Sequence, residues 1–460
     1  MRLIDILKKN GVVDGGLATL WPDAWAAGRV DTVIVNGAAG GPLLENDSWL
    51  LTAEAEKAVA GLEVLMEGCG AKRGVIALKN TRPDAVARLE NAVREKGRIE
   101  VLPLEDVYPA GDELMLVYEA SGRIVPAGRL TVEAGCLVII PETACNISNA
   151  VGESRPVTKR TLTCAGEVKR PAVVTAHIGT PLAEVLALCG GSTVKDPVIL
   201  VGGPVTGRVE TDVGAPVTKS TAAIIVLPRG HVAVRNRMVP IEHVMRRVKS
   251  VCCECSFCTD LCPRFLLGYD IRPHLIMRQV SHGIDLPTEV IENALLCSGC
   301  GLCEVYSCAQ GLSPRIVNEQ VRRSMYRRGY VPEFGKRKVT ARRKAAVRDM
   351  RESRRIPEEK ILERLMLNRY SDRLVRGGIK TGSVWTDSVG TDPVRVEILL
   401  MQHEETVGTA APVPTVTAGD SVREGGLIAE VSDGEGAAVH SSIDGKVTFV
   451  DTERVIVERQ

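Results

Sequence analysis

A chain of 460 residues with 45% apolar and 25% charged residues has the balance of a globular protein, and its length points to about three domains. A net charge of +1 and only 3% aromatic residues argue against a nucleic-acid surface, which needs a basic field or a platform of stacking rings. No cleavable apolar leader opens the chain, and no stretch reaches the roughly 20 apolar residues of a spanning helix. The expectation is a cytoplasmic protein, joined to a membrane complex only through partner subunits, whose clustered cysteines are metal ligands rather than disulfides.

From residue 1 to 150, strand and helix patterns alternate. VDTVIVNG, GVIALK and IEVLPL read as buried strands, and LTAEAEKAVAGLEVLMEG and RPDAVARLENAVREKG as helices. That alternation predicts a Rossmann-like α/β domain, a sheet covered by helices. Ligands of such sheets sit at the carboxyl ends of the strands, which singles out the glycine-rich loop at residues 37–47, GAAGGPLLEND. Gly15 and Gly16, in VVDGGLATLWP, are a second close-approach candidate. Neither stretch matches G-x-G-x-x-G, and taken alone each reads as an ordinary turn rather than a ligand loop.

Residues 168–232 read as strand, helix, strand, strand: a compact β-rich module. His177 has no cysteine or carboxylate at metal spacing and is expected to be a surface or core histidine.

A helical domain over 240–330 carries the strongest signal. Cys252, Cys255, Cys258 and Cys262-Pro263 fit C-x2-C-x2-C-x3-C-P, the run that holds [4Fe–4S] clusters in bacterial ferredoxins. Cys297, Cys300 and Cys303 repeat the spacing, and Cys308 follows after four residues. A fourth thiolate so close to the third does not reach the same cube, so the fourth cysteine of each run is expected to ligate the other cluster. Paired C-x2-C zinc sites fit eight cysteines in triplets poorly. Cys253 is expected to pack beside a ligand, and Cys69, Cys136, Cys145, Cys164 and Cys189 to be small buried apolar residues.

Residues 331–390 form a basic helical linker, and the arginine-rich stretch 322–376 reads either as a solvated face or as a patch for an acidic partner. Over 391–460, G-D-x-V-x-x-G-x-L-I-A-E followed by S-I-D-G-K-V resembles a biotinyl/lipoyl-type barrel-sandwich hybrid. Its hairpin tip, 432–436, has no carrier lysine, so a docking or structural module is expected.

Taken together, IGTPLAEVL, GGPVTGR, APVTK and IIVLP, with both cysteine runs, resemble the family that contains the Rnf complex C subunit and the cobalamin reductase of propanediol-utilisation microcompartments. The NADH-binding flavoprotein subunit of respiratory complex I is a more distant likeness. The resemblance implies a β-grasp SLBB module at 168–232 and a ferredoxin-like domain with two [4Fe–4S] clusters. It also implies FMN reduced by NADH, with electrons passing to a corrinoid or a redox partner protein, in a microcompartment or beside membrane-complex subunits. The family's flavin loops correspond here to Gly15, Gly16, Asn36, Asp47 and Thr143, the implied FMN contacts. The acidic residues that precede Pro42 in relatives, and the paired asparagines ahead of Glu142, are replaced. Two readings therefore stand: an NADH-dependent iron–sulfur flavoprotein reductase, and a relay subunit that keeps the N-terminal fold as a scaffold.

Overall fold

A computed structural model describes residues 2–14, 30–38, 40–332, 346–371, 389–402, 411–431 and 436–459. Five strands lie in the N-terminal region: β1 (Thr32–Asn36), β2 (Arg73–Lys79), β3 (Ile99–Leu104), β4 (Val107–Tyr108) and β5 (Cys136–Ile139). Four of them make a parallel sheet in the order β3-β2-β1-β5. Side chains alternate across it. Val33, Val35, Ile76, Leu78, Leu137 and Ile139 enter the core under helices Ala55–Cys69 and Pro141–Gly152. Ile34, Val75, Ala77, Cys136 and Val138 enter the core under helix Glu113–Ser121. Covering both faces requires apolar residues at every position, which is why these strands read as unbroken runs. The two helices on the first face approach so closely that a Cβ on Gly61 would stand 1.8 Å from the Ala144 carbonyl oxygen.

A second, six-stranded sheet is built from β6 (Lys159–Gly166), β7 (Ala172–His177), β8 (Pro197–Val201), β9 (Arg208–Glu210) and β10 (Ala223–Pro228), with β12 (Val389–Gly390) at one edge. Its order is β12-β7-β6-β10-β8-β9, with helix Leu182–Leu188 packed on one face. The central strand β6 precedes residue 168, where the sequence pattern places the start of this module. It is buried almost end to end, so it lacks the alternation that marks a half-exposed strand.

The cysteine region is helical: Ile241–Val251, Pro273–His282 and Pro314–Arg327 pack around Val244, Val248, Ile276 and Val317. No helix among the described residues is long and apolar enough to cross a membrane.

The described part of the expected basic linker is not a solvated helix. β11 (Ile356–Pro357) pairs antiparallel with β4, and the short helix Glu358–Arg364 follows. Ile356, Ile361, Leu365, Leu367 and Tyr370 are buried with Tyr108, Leu200, Ile225 and Leu302. One core thus joins the N-terminal domain, the second sheet and the cysteine domain through this strap. Its arginines serve the same joint: Arg351 pairs with Glu119, Arg369 with Glu167 at 2.5 Å, and Arg348 lies 3.7 Å over the Phe265 ring. Further on, β12 joins the second sheet beside β7.

The C-terminal region has two small antiparallel sheets. β13 (Arg395–Leu399), β15 (Ser421–Val422), β18 (Gly445–Val450) and β19 (Arg454–Glu458) form one, and β14 (Val413–Pro414), β16 (Leu427–Glu430) and β17 (Val439–His440) the other. Val396, Ile398, Ile428 and Val455 share a core with Leu7 and Val12 of the N-terminal domain. The Ser442 hydroxyl donates to the Ile178 carbonyl at 2.6 Å. Residues 432–435 of the hairpin tip lie outside the described residues.

If the strap is structural, Ile361→Ala should lower the unfolding free energy by about 2–5 kcal/mol, as for a buried aliphatic truncation. Anaerobic urea titration measures this, and a change below about 1 kcal/mol would show that the strap only rests on the surface.

Candidate redox site

Each cysteine run is bent by left-handed residues at matching positions. Glu254 (φ 56°) and Ser256 (φ 65°) flank Cys255, and Gly299 (φ 73°) and Gly301 (φ 76°) flank Cys300. The bends fold C-x2-C-x2-C into a nest whose N–H groups face the sulfurs, as where the Gly299 N–H donates to the Cys297 Sγ at 3.4 Å. The second run ends in a π-turn, Cys303–Ser307, which accommodates its four-residue gap before Cys308.

The runs interlock. Cys308 lines one cavity with Cys252, Cys255 and Cys258, and the Leu312 N–H donates to its sulfur at 3.3 Å. Burial, then the neighbouring Cys308, Cys255 and Cys252, pushes the Cys258 thiol up to about 12. Cys262 turns the other way: burial, then Cys300, raises its thiol well above the usual range, with Cys297 adding to this and the Phe265 and Arg264 N–H groups opposing it. Cys303 is raised by burial, then by Cys297, Cys300 and Cys262, with Cys258 beyond them. The structure therefore holds an outer quartet, Cys252, Cys255, Cys258 and Cys308, beside an inner one, Cys262, Cys297, Cys300 and Cys303. Cys258, Cys262, Cys300 and Cys303, whose thiols burial raises, fit ligands of a polycationic centre, since ligation by iron requires them as thiolates. No group of three or more His, Cys, Asp or Glu among the described residues converges as a single ion requires, whereas a cubane spreads its ligands over four irons.

A cleft of ≈ 560 Å³ opens at the carboxyl ends of β1 and β2, lined by Gly37, Gly40, Gly41, Asp47, Lys79, Arg82 and Glu358 among others. A chamber of ≈ 170 Å³ adjoins it, shares Gly40, Gly41 and Lys79, and reaches Tyr108, Asp112, Ser298 and Cys300. Tyr108 donates its hydroxyl proton to the Cys300 carbonyl at 2.6 Å. The cleft thus abuts the inner quartet.

The implied FMN contacts divide. Asp47 lines the cleft. Asn36 spans the loop beneath it, its Nδ2 donating to the Gly111 carbonyl at 3.0 Å and its Oδ1 accepting from the Ala38 N–H at 3.2 Å. Thr143 donates its hydroxyl to the Val13 carbonyl at 3.1 Å. Both shape the site through the backbone. Gly15 and Gly16 lie outside the described residues.

Sequence reasoning missed Lys79 and Arg82, although their place at the end of a buried strand was the available signal. Lys79 pairs with Glu358 of the strap and, at 3.4 Å, with Asp106; Arg82 pairs with Glu45 at 2.6 Å. Three glycines on the lining wall, with two cations beside them, suit a flat cofactor bearing a phosphate, which would replace these carboxylates as partner of Lys79 or Arg82. Buried acids were missed as well. Burial pushes Asp47 up to about 7; the Arg160 guanidinium opposes this, while Glu142 and Asp14 add to it. Burial raises Asp14 to about 6 against the Ile140 N–H, and Glu113 to about 7 with help from Asp14 and Asp112. His177 is buried, and its Nδ1 meets the Thr391 hydroxyl at 3.1 Å. Cys69, Cys136, Cys145, Cys164 and Cys189 are buried, whereas Cys253 is exposed rather than packed.

The chain is similar in sequence to known proteins. Residues 18–149 match the family described as the Nuo51 FMN-binding domain, residues 161–209 the SLBB domain and residues 251–313 the 4Fe-4S dicluster domain. The chain is 36% identical to the cobalamin reductase PduS of Citrobacter freundii over 98% of its own length and 95% of that protein's. It is 34% identical to the PduS of Salmonella typhimurium, covering 98% and 95%. The Na(+)-translocating ferredoxin:NAD(+) oxidoreductase complex of Acetobacterium woodii has a C subunit that is 33% identical over 53% of this chain and 52% of that one. An FMN-binding domain, an SLBB domain and a 4Fe–4S dicluster domain in one mixed α/β chain make an iron–sulfur flavoprotein for electron transfer.

The buried acids have a pH signature. Asp14 and Asp47 titrate at about 6 and about 7 in the fold, against 3.8 when free. The folded state holds the extra protons between those values, so their contribution to stability is lost as pH rises from about 4 through 7. Asp47→Asn removes one such group. The Tm of the variant minus that of the parent should rise between pH 5 and pH 8; a difference that stays constant or falls would mean that Asp47 is already ionised at pH 5.

Proposed function

The chain belongs to the family of the cobalamin reductase PduS, and on that premise we propose that it takes electrons from NADH and delivers them through FMN and two [4Fe–4S] clusters to a corrinoid or a redox partner protein. The observation that carries this reading is the shared wall: the chamber beside the glycine-lined cleft ends on Cys300 of the inner quartet. When bound, FMN accepts a hydride's two electrons and the cubanes carry them singly. The chain's own residues hold and order these groups. Cys262, Cys297, Cys300 and Cys303 grip the inner cluster, and Cys252, Cys255, Cys258 and Cys308 the outer one. Lys79 and Arg82 would meet the phosphate of a bound flavin, and Tyr108 fixes the Cys300 backbone at the boundary. Glu358 and the strap restrict water at the cleft mouth.

The domain limits in this reading are 1–150, 168–232 extended back to β6, 240–330, the strap and linker over 331–390, and 391–460. The second sheet with its helix is read as a β-grasp SLBB module, and the two C-terminal sheets as a barrel-sandwich hybrid that wedges the assembly rather than carrying a group. The protein would work in the cytoplasm, within a microcompartment or beside membrane-complex subunits. A specific observation favours the relay reading as second: Lys79 and Arg82 are already neutralised by Glu358 and Glu45. Released flavin per chain decides between the two readings.

Anaerobically purified protein should contain about eight irons per chain, and Cys258→Ala or Cys308→Ala about four. The double variant Cys258→Ala/Cys308→Ala should lose no more iron than either single variant, whereas Cys258→Ala/Cys262→Ala should lose nearly all. Additive loss in the first pair would refute the interlocked quartets. NADH should still bleach the flavin of Cys258→Ala while acceptor reduction stops; full-rate acceptor reduction in that variant would sink the serial path.

A further inference from the structure

We propose that the face around the outer quartet is a docking site for an acidic protein that carries one electron, a partner class that the proposed electron transfer leaves open and on which this inference rests. Three independent features converge there. The first is access. Cys255 of the outer quartet and its neighbour Cys253 are exposed, whereas no cysteine of the inner quartet is. Electrons entering from the cleft beside Cys300 therefore reach solvent through the outer group.

The second feature is apolar exposure. Phe257, between Cys255 and Cys258, is 52% exposed; Val251, next to Cys252, is 39% exposed; and Ile284 is 42% exposed. Ile284 is brought to this face by the contact between His282 and Glu254. Large apolar side chains that ring a redox group and cover no part of this chain mark an interaction surface rather than a core. An aromatic anchor with two aliphatic neighbours suits a small, short-lived contact, the low end of interface sizes, where electron-transfer encounters fall.

The third is charge. Arg246 and Lys249 are exposed on helix Ile241–Val251 and have no ion-pair partner among the described residues. Arg247 on the same helix reaches the Gln310 and Gly311 carbonyls, at 3.3 and 3.4 Å, and has no ion-pair partner among the described residues. Of the acids near it, Glu254 is answered by Arg278 at 2.6 Å and by His282, whereas Glu242, one turn before Arg246, and Asp285, next to Ile284, are exposed. A basic rim around an apolar centre steers an acidic partner and repels a basic one. Among the described arginines of the strap, Arg351 pairs with Glu119 and Glu352, Arg355 with Glu352, and Arg369 with Glu167. In the encounter the carrier gains one electron and this protein loses one; no bond forms or breaks and no proton moves.

The test uses intact protein reduced with dithionite, freed of excess reductant, and mixed by stopped flow with oxidised plant-type [2Fe–2S] ferredoxin as the acidic probe. Cytochrome c serves as the basic probe. The second-order rate constant for ferredoxin should fall at least about ten-fold between roughly 20 and 300 mM salt, and about ten-fold or more in the double variant Arg246→Glu/Lys249→Glu at low salt. Phe257→Ala should slow the same step, with the paramagnetic signals of both clusters unchanged in either variant. A rate insensitive to salt and to both variants would overturn the proposal, as would equally fast reduction of cytochrome c. So would reduction of free aquacobalamin that outpaces ferredoxin and is untouched by the substitutions, which would mark the face as a corrinoid contact. Chemical reduction loads the clusters without NADH. Failure of NADH to reduce the protein would therefore count against the proposed donor alone, and protein that takes up no electrons from dithionite against the clusters themselves.

Discussion

The arrangement depends on the fact that neither cysteine run completes a site alone. Cys262 follows Cys258 too closely to share its quartet, and the structure sends it to Cys297, Cys300 and Cys303 while Cys308 returns to the first run. Two loops separated by the helix Pro273–His282 must fold against each other before either nest has four sulfurs. This mutual dependence places the quartets side by side, with Cys303 and Cys258 within electrostatic reach. It also fixes the orientation of the pair, with the inner group against the cleft and the outer against solvent.

Around that centre the chain is held by long-range joints rather than by separable domains. Tyr108 shows how many meet in one place: its ring is in the core with Ile356, Ile361 and Tyr370, its strand pairs with β11, and its hydroxyl grips Cys300. The C-terminal sheets are equally fixed, sharing apolar residues with the first helix and a hydrogen bond with Ile178. A module of this type that must swing to deliver a group would not be fastened at so many points. The described residues leave it as a brace between the first two sheets.

Much of this was legible in local patterns. β1, β2 and β3 fall within the apolar runs VDTVIVNG, GVIALK and IEVLPL, because a parallel sheet covered on both faces writes itself as continuous hydrophobicity. The cysteine runs were legible because metal chemistry imposes spacing on the chain itself. β6 was not: a strand buried from Arg160 to Gly166 carries no burial alternation. The strap was misread for a different reason. Its arginines look solvated in sequence, and only the distant Glu119 and Glu167 show what they are for. The cleft's charged pair, Lys79 with Glu358, joins residues that no local window contains. Asn36 and Thr143 bond the backbone of Gly111, Ala38 and Val13, partners that are invisible in one dimension.

The matching bends of the two nests differ in one respect with a thermodynamic consequence. Gly299 and Gly301 adopt positive φ freely, whereas Glu254 and Ser256 do so against a cost of roughly 1–2 kcal/mol each. Arg278 and His282 hold the Glu254 side chain and offset part of that cost. The remainder comes out of the affinity of the solvent-facing loop for its iron, at about a factor of ten per 1.4 kcal/mol. Of two chemically equal cubes, the one nearer the surface is then the first to be surrendered under oxygen and the last to be filled during maturation.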